Sequence, residues 1–258
     1  MRPVWSGSIV FGLVNIPVKM YSATVSSDLD LDMLDKKDHA RIKYSRVNEK
    51  TGKEVAWSNI VKGYKYNDDY VILGDKDFEA ASAKKTNTIE ISDFVKAEEI
   101  STLYYEMPYY LEPGKSAVKS YEVLREALRK TKKAGVASFV MRNKEHLAIL
   151  QADDNIITLS RIRFQEEIRK PDELSVPKKT SVRQEELKMA VMLIDHLTKK
   201  FDISKYKDTY RAELLKLIKA KASGKKIRAP QMKVVHNKTK DLMSQLKASL
   251  EVKRKKAS

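Results

Sequence analysis

The chain has 258 residues, 42% of them hydrophobic and 33% charged, with a formal net charge of +16. That length suits one large domain, or one domain with an appendage. It contains no cysteine, which excludes a disulfide framework and favours a reducing compartment. No run of about 18 apolar residues occurs, so no membrane-spanning helix is expected.

The first 25 residues, MRPVWSGSIVFGLVNIPVKMYSATV, have the outline of an export signal, with a cation at Arg2, an apolar run over residues 9–14 and small residues at Ser22 and Ala23. Gly7, Gly12, Asn15 and Pro17 make it a poor signal helix. Over residues 9–21, Val10, Val14, Ile16, Val18 and Met20 share one face at a period of two, which a half-buried strand explains. The opening is therefore read as a half-buried strand rather than a signal helix. DLDLDML repeats the alternation with Leu29, Leu31 and Met33. RIKYSRVNEKTGKEV reads as a strand running into a polar turn at Thr51 and Gly52. Further strands are expected in YKYNDDYVIL, TNTIEI, TLYYEMPYYL, GVASFVMR, EHLAIL and NIITLSRIRF. Helices are expected near DKDFEAAS and across AVKSYEVLREALRK.

After Pro171 the periodicity changes. Leu187, Ala190, Val191, Ile194 and Leu197 recur at helical spacing, and Tyr210, Leu214, Leu217 and Ile218 do so in the next segment. A helical pair thus follows a β-rich body.

The charge is unevenly placed. Residues 1–170 carry 28 Lys and Arg against 25 Asp and Glu, a net of +3, whereas residues 219–258 carry 13 against 2, a net of +11. A block of like charge with little apolar content repels itself and stays solvated, so the tail reads as a mobile cationic arm. Contact with nucleic-acid phosphates is the use that favours such an arm; a solubilising terminus or an anionic membrane surface are the alternatives.

Sites for covalent chemistry are scarce. Gly114, Lys115 and Ser116 stand between a strand and a helix, where a phosphate-binding loop would sit, but Tyr109 occupies the place of that motif's first glycine. His39, His146, His196 and His236 share no short metal-ligand spacing. Asp68 with Asp69 and Asp153 with Asp154 read as turn residues; Tyr104, Tyr105, Tyr109 and Tyr110 read as divided between core and surface, with a base-stacking platform as the alternative. No cofactor is expected. The basic residues Arg41, Lys43, Arg46, Lys50, Lys53, Lys62 and Lys65 are the more informative set. On a strand Arg41 and Lys43 project to one face and present cations from an ordered element; an edge strand protected by charge is the rival account.

Several separated stretches, RPVWSGSIVFGLVNIPVKMYSA, KDHARIKYSRVNEKTGKEV, IVKGYKYNDDYVIL, the Tyr-Tyr-Leu-Glu-Pro run before its helix, and LIDHLTKKFDISKYKDTYRAELLKLIKAKASGKK, together resemble the bacterial Ku proteins of DNA end joining. The likeness runs from residue 2 to about residue 226. It implies an α+β fold, with an antiparallel β-barrel core, an extended ring-closing bridge, a helical C-terminal arm and a basic flexible tail. The expected domains are 1–170 for the core with its bridge at about 36–65, 171–226 for the arm, and 227–258 for a disordered tail. The resemblance further implies a homodimeric ring that holds double-stranded DNA ends without sequence preference. Such a ring recruits DNA ligase D for break repair and has no catalysis of its own. Residues 41–65 match the bridge, which strengthens phosphate contact there; in the tail, Lys225, Lys226, Lys253, Arg254, Lys255 and Lys256 are DNA-binding candidates on charge alone. The expected location is cytoplasmic and nucleoid-associated, without a membrane. A general nucleoid-coating protein is the alternative, and a nucleotide-dependent nucleic-acid enzyme a weaker one.

Overall fold

A computed structural model describes residues 1–81, 87–175, 181–225 and 243–246. It divides into two compact units, Met1–Pro171 and Asp172–Ser258. In the first, seven strands close into a barrel: β1 (Trp5–Phe11), β2 (Val14–Ser22), β5 (Thr88–Lys96), β6 (Tyr105–Pro113), β7 (Lys133–Met141), β8 (Lys144–Asp153) and β9 (Ile156–Ile162). Around the barrel the order is β1, β2, β6, β9, β8, β7, β5. A separate hairpin is made by β3 (Lys62–Tyr66) and β4 (Asp69–Leu73), and α1 (Asp75–Ala81) and α2 (Val118–Thr131) complete the unit.

Residues 9–21, expected as one strand, are two. Gly12 takes φ 56° and turns the chain back, so that Phe11 pairs with Val14 and Ile9 with Ile16. A residue directly opposite another shares its face, and here each pair joins an odd number to an even one. The inward set is therefore Ile9 from β1 with Ile16, Val18 and Met20 from β2, all buried, while Val14 is 39% exposed. DLDLDML also departs from expectation. It forms no strand, and Leu34 makes only an isolated bridge to Arg41. Likewise RIKYSRVNEKTGKEV contributes two isolated bridges rather than a strand.

The barrel is antiparallel except at one seam, where β1 runs parallel to β5. There the backbones come very close. A Cβ on Gly7 would lie 2.0 Å from the Asn87 carbonyl oxygen, while Ser8 N–H donates to that same oxygen at 3.0 Å. Only glycine, which has no Cβ, fits this approach.

Inside the barrel Leu111, Leu150, Ile157 and Leu159 are fully buried with the β1–β2 set. Tyr121, Leu124 and Leu128 of α2 recur at three- and four-residue spacing and join the same core. The Tyr121 hydroxyl is the polar exception in this layer. It donates to Leu111 O at 2.7 Å and accepts from Ile157 N–H at 2.6 Å, where β6 and β9 pair.

Between β2 and α1 lies a long excursion, residues 24–74, in which no residue is buried. Two polar turns hold it locally. Asp35 accepts from Lys37 N–H, and Asn48 accepts from the amides of Lys50 and Thr51 as Gly52 adopts φ 64°. The second unit contains α3 (Gln184–Leu197) and α4 (Thr209–Ala222), the expected helical pair. Asp202 and Asp208 cap the segments that follow α3 by accepting from Ser204 and Arg211 amides. None of its described residues is buried, and Leu187, Val191, Ile194 and Leu197 of α3 are exposed.

Candidate nucleic-acid interface

All seven cations expected in the bridge are exposed; six lie on three successive hairpins of the excursion, and Lys43 lies between the first two. The first spans residues 33–42, closed by Ile42 N–H donating to Met33 O at 2.9 Å. Arg41 sits at its end, ion-paired through its guanidinium with Asp32; the two side chains are 74% and 54% exposed. Lys43 follows it outside any ladder, so the shared strand face expected for these two residues does not form.

The second hairpin spans residues 46–55, with Val47 bridged to Glu54 and Val55 N–H donating to Arg46 O at 2.7 Å. It gathers Arg46, Lys50 and Lys53. The Arg46 guanidinium lies 4.6 Å from the centre of the Trp57 ring, a cation–π contact. Trp57 begins a single 3-10 turn, Trp57–Asn59, and remains 72% exposed.

The third hairpin is β3–β4. Lys62 pairs with Leu73 and Lys65 with Tyr70. Three residues apart on one strand, the two lysines point to opposite faces. Lys62 shares its face with Tyr64 and Tyr66, and its ammonium lies 4.7 Å from the Phe78 ring centre. A single flat surface therefore does not meet both. Of the tail candidates, Lys225 is exposed just beyond α4, where Gly224 takes φ 71°; Lys226, Lys253, Arg254, Lys255 and Lys256 lie outside the described residues.

A further cationic cluster was not anticipated from sequence. Arg129, Lys132 and Lys133 line a concavity at the C-terminal end of α2, together with Asp153 and Gln151, and Lys132 ends the helix at φ 55°. The signal was the run LRKTKK, balanced in the sequence by Glu122 and Glu126. In the structure those carboxylates are taken up by Arg125 and Arg129, and Lys132 and Lys133 have no ion pair among the described residues.

Among the described residues, the candidate chemical positions are engaged in structural contacts. The Gly114 amide donates to Pro17 O at 2.9 Å and Lys115–Ala117 forms a 3-10 turn leading into α2, so the turn is a strand-to-helix connection already bonded to β2. An apolar groove of about 610 Å³ beside α2 is lined by Phe11, Val14, Phe94 and Val123 with Lys119 and Lys133, and no lining side chain is a carboxylate or a histidine. His146 packs on Phe139 with ring centres 5.6 Å apart, and burial first, then Arg161 and Lys144, hold its pKa below the ordinary 6.5. Among the described residues no three His, Asp or Glu side chains gather as a metal site, and no helix is long and apolar enough to cross a membrane. Of the four tyrosines of the β6 region, Tyr109 is buried, Tyr104, Tyr105 and Tyr110 are half-buried, and Tyr104 donates to Gln165.

Comparison with known proteins gives a consistent result. The Ku70/Ku80 beta-barrel domain family matches residues 10–189. A protein of Coxiella burnetii, named non-homologous end joining protein Ku, is 40% identical over 262 residues, which cover 98% of this chain and 96% of the relative. Proteins of the same name from Bacillus subtilis and Archaeoglobus fulgidus are each 40% identical, covering 97% of this chain and 82% and 99% of the relatives.

Proposed function

The chain belongs to the Ku family, and from that premise we propose that it binds double-stranded DNA ends in non-homologous end joining. In this reading it acts as a homodimeric ring without catalysis of its own, recruits a DNA ligase of the ligase D type, and works on the nucleoid in the cytoplasm. The observation that carries it is the extent of the likeness: identity of 40% is sustained over nearly the full length of both chains. Domain limits follow the same reading, with the core and bridge in residues 1–170, the arm in 171–226 and the basic tail in 227–258.

Physical features support each part. A ring needs cations that face phosphate, because phosphates are supplied by every sequence and fix position without base readout. Arg41, Lys43, Arg46, Lys50, Lys53, Lys62 and Lys65 are assigned that role in the bridge, and Lys225, Lys226, Lys253, Arg254, Lys255 and Lys256 in the arm and tail. The near-neutral body is no obstacle, since only the DNA-facing wall has to be positive. Dimerisation is favoured by the apolar side chains left bare. Tyr64, Val71 and Ile72 on the hairpin and Val191 and Ile194 on α3 are each 46% to 65% exposed, the pattern expected where a second subunit covers them.

The test is binding to linear and to closed circular DNA of one sequence at several salt concentrations. A strong preference for the linear form with a steep salt slope is expected. Equal affinity for the two forms would replace the ring with a coating protein, and nucleotide hydrolysis abolished by Lys115→Ala would replace it with an enzyme.

A further inference from the structure

Resting on the end-binding reading, we infer that Trp57 is a stacking platform for an unpaired nucleobase, with Arg46 seated on its other face, so that the bridge distinguishes DNA ends carrying single-stranded overhangs from blunt ones. Three observations lead here. Trp57 is 72% exposed, although an indole is among the side chains that gain most from burial. Its ring already carries the Arg46 guanidinium at 4.6 Å, so one π face is occupied by a cation, and no aromatic ring of the described residues packs on the other. Exposed aromatics and cations share the same stretch of chain: Tyr44 is 79% exposed, Tyr64 65%, Tyr66 64% and Tyr70 68%, among Lys43, Lys53, Lys62 and Lys65.

The chemistry of an unpaired nucleotide matches this arrangement. Every base offers a π face, so stacking on an indole is tolerant of sequence, and a guanidinium on the opposite face strengthens the ring's hold while keeping N–H donors for the adjoining phosphate. Paired bases in a duplex are stacked on each other and have no free face. The platform therefore acts only on the frayed or overhanging part of an end, and duplex affinity depends on the lysines and arginines instead.

The test uses the full chain and the fluorescence of its two tryptophans, Trp5 and Trp57. Trp5 is half-buried and donates its indole N–H to Val140 O at 3.0 Å, so quenching by DNA reports chiefly on Trp57. Three ligands share one duplex: blunt, with a short thymidine overhang, and with an overhang of abasic sugar-phosphate. The thymidine overhang is expected to bind tightest and to quench emission, and the abasic overhang, which has the same phosphates and no bases, to behave like the blunt duplex plus a small electrostatic gain. Trp57→Leu keeps an apolar side chain without a π face. It should remove the quench and weaken the thymidine-overhang complex about 5- to 150-fold, leaving blunt-duplex affinity in place. Equal binding of thymidine and abasic overhangs, or an overhang preference that survives Trp57→Leu, overturns the inference. Failure of the blunt duplex to bind would instead overturn the end-binding reading, and quenching by the free thymidine strand would then decide the stacking by itself.

Discussion

Asp32 competes with a phosphate for the Arg41 guanidinium, and this competition gives a quantitative test of the bridge. The two side chains are 74% and 54% exposed, and an ion pair so open to solvent is worth about 0.2–1 kcal/mol. If Arg41 contacts DNA, the wild-type protein gives up that amount on binding, and Asp32→Asn removes the penalty. Affinity should rise about 1.4- to 5-fold. Arg41→Ala should lower the slope of log K against log salt by about 0.9, the share of one phosphate contact on duplex DNA, whether residue 32 is Asp or Asn. A double-mutant cycle separates this from the general effect of removing a negative charge. Titration of one linear duplex by the four proteins, at several salt concentrations, supplies the data. Should Asp32→Asn tighten binding by the same factor when residue 41 is Ala, the gain comes from the long-range field alone, and Arg41 is not on the contact surface.

Reversal of Arg41, Lys43 and Arg46 together to Glu should lower the salt slope by about 2.7 and weaken binding by several kcal/mol, with the oligomeric state unchanged by sedimentation. Tyr121→Phe deletes the hydroxyl that serves both Leu111 O and Ile157 N–H. Leaving two buried backbone groups unpaired should destabilise the barrel by about 2–6 kcal/mol in urea unfolding, and a loss under about 0.5 kcal/mol would mean that the strands pair without it. For His146, the pKa depressed by burial means that the unfolded chain binds the extra proton first as pH falls below 6.5. Stability should therefore drop with acidification in that window, and His146→Gln should flatten the drop; an unaltered pH profile would show that another group is responsible.

The barrel was legible because each of its strands carries β-branched or large apolar residues at a period of two, and α2 carries its own at 3.6. Placement of the strands around the barrel was less so. The parallel seam between β1 and β5 depends on contacts across eighty residues, with the exclusion of a Cβ at Gly7 as its only local trace. Parity failed at Gly12 because a two-residue turn moves the buried set from odd to even numbers without breaking the hydrophobic count. DLDLDML shows the opposite limit. Its alternation is as regular as that of β2, but a strand also requires a partner ladder, and among the described residues it has only the isolated bridge from Leu34 to Arg41. In the excursion, the spacing of the candidate cations was legible and their geometry was not: Lys62 and Lys65 diverge by a rule of spacing available from the outset, whereas the seat of Arg46 on Trp57 requires the hairpin at residues 46–55.

The contrast between barrel and excursion has a thermodynamic consequence. Ordering a residue's backbone costs about 1–2 kcal/mol, and the barrel offsets this by burying apolar side chains. Residues 24–74 bury none, and their conformation is held mainly by turn hydrogen bonds that water can replace. Such a segment opens locally at low free energy, so if it lies against a duplex, those contacts supply the rest of its order. Amides bonded within it, Ile42, Asn48, Gly52 and Val55, should therefore exchange hydrogen far faster in the free protein than the Ile157 amide, which is bonded to the buried Tyr121 hydroxyl. Saturating linear duplex should slow those four and leave Ile157 unchanged. If the duplex changes none of them, the excursion makes no contact with DNA, and the cationic wall has to be sought elsewhere, first at Lys132 and Lys133 beyond α2.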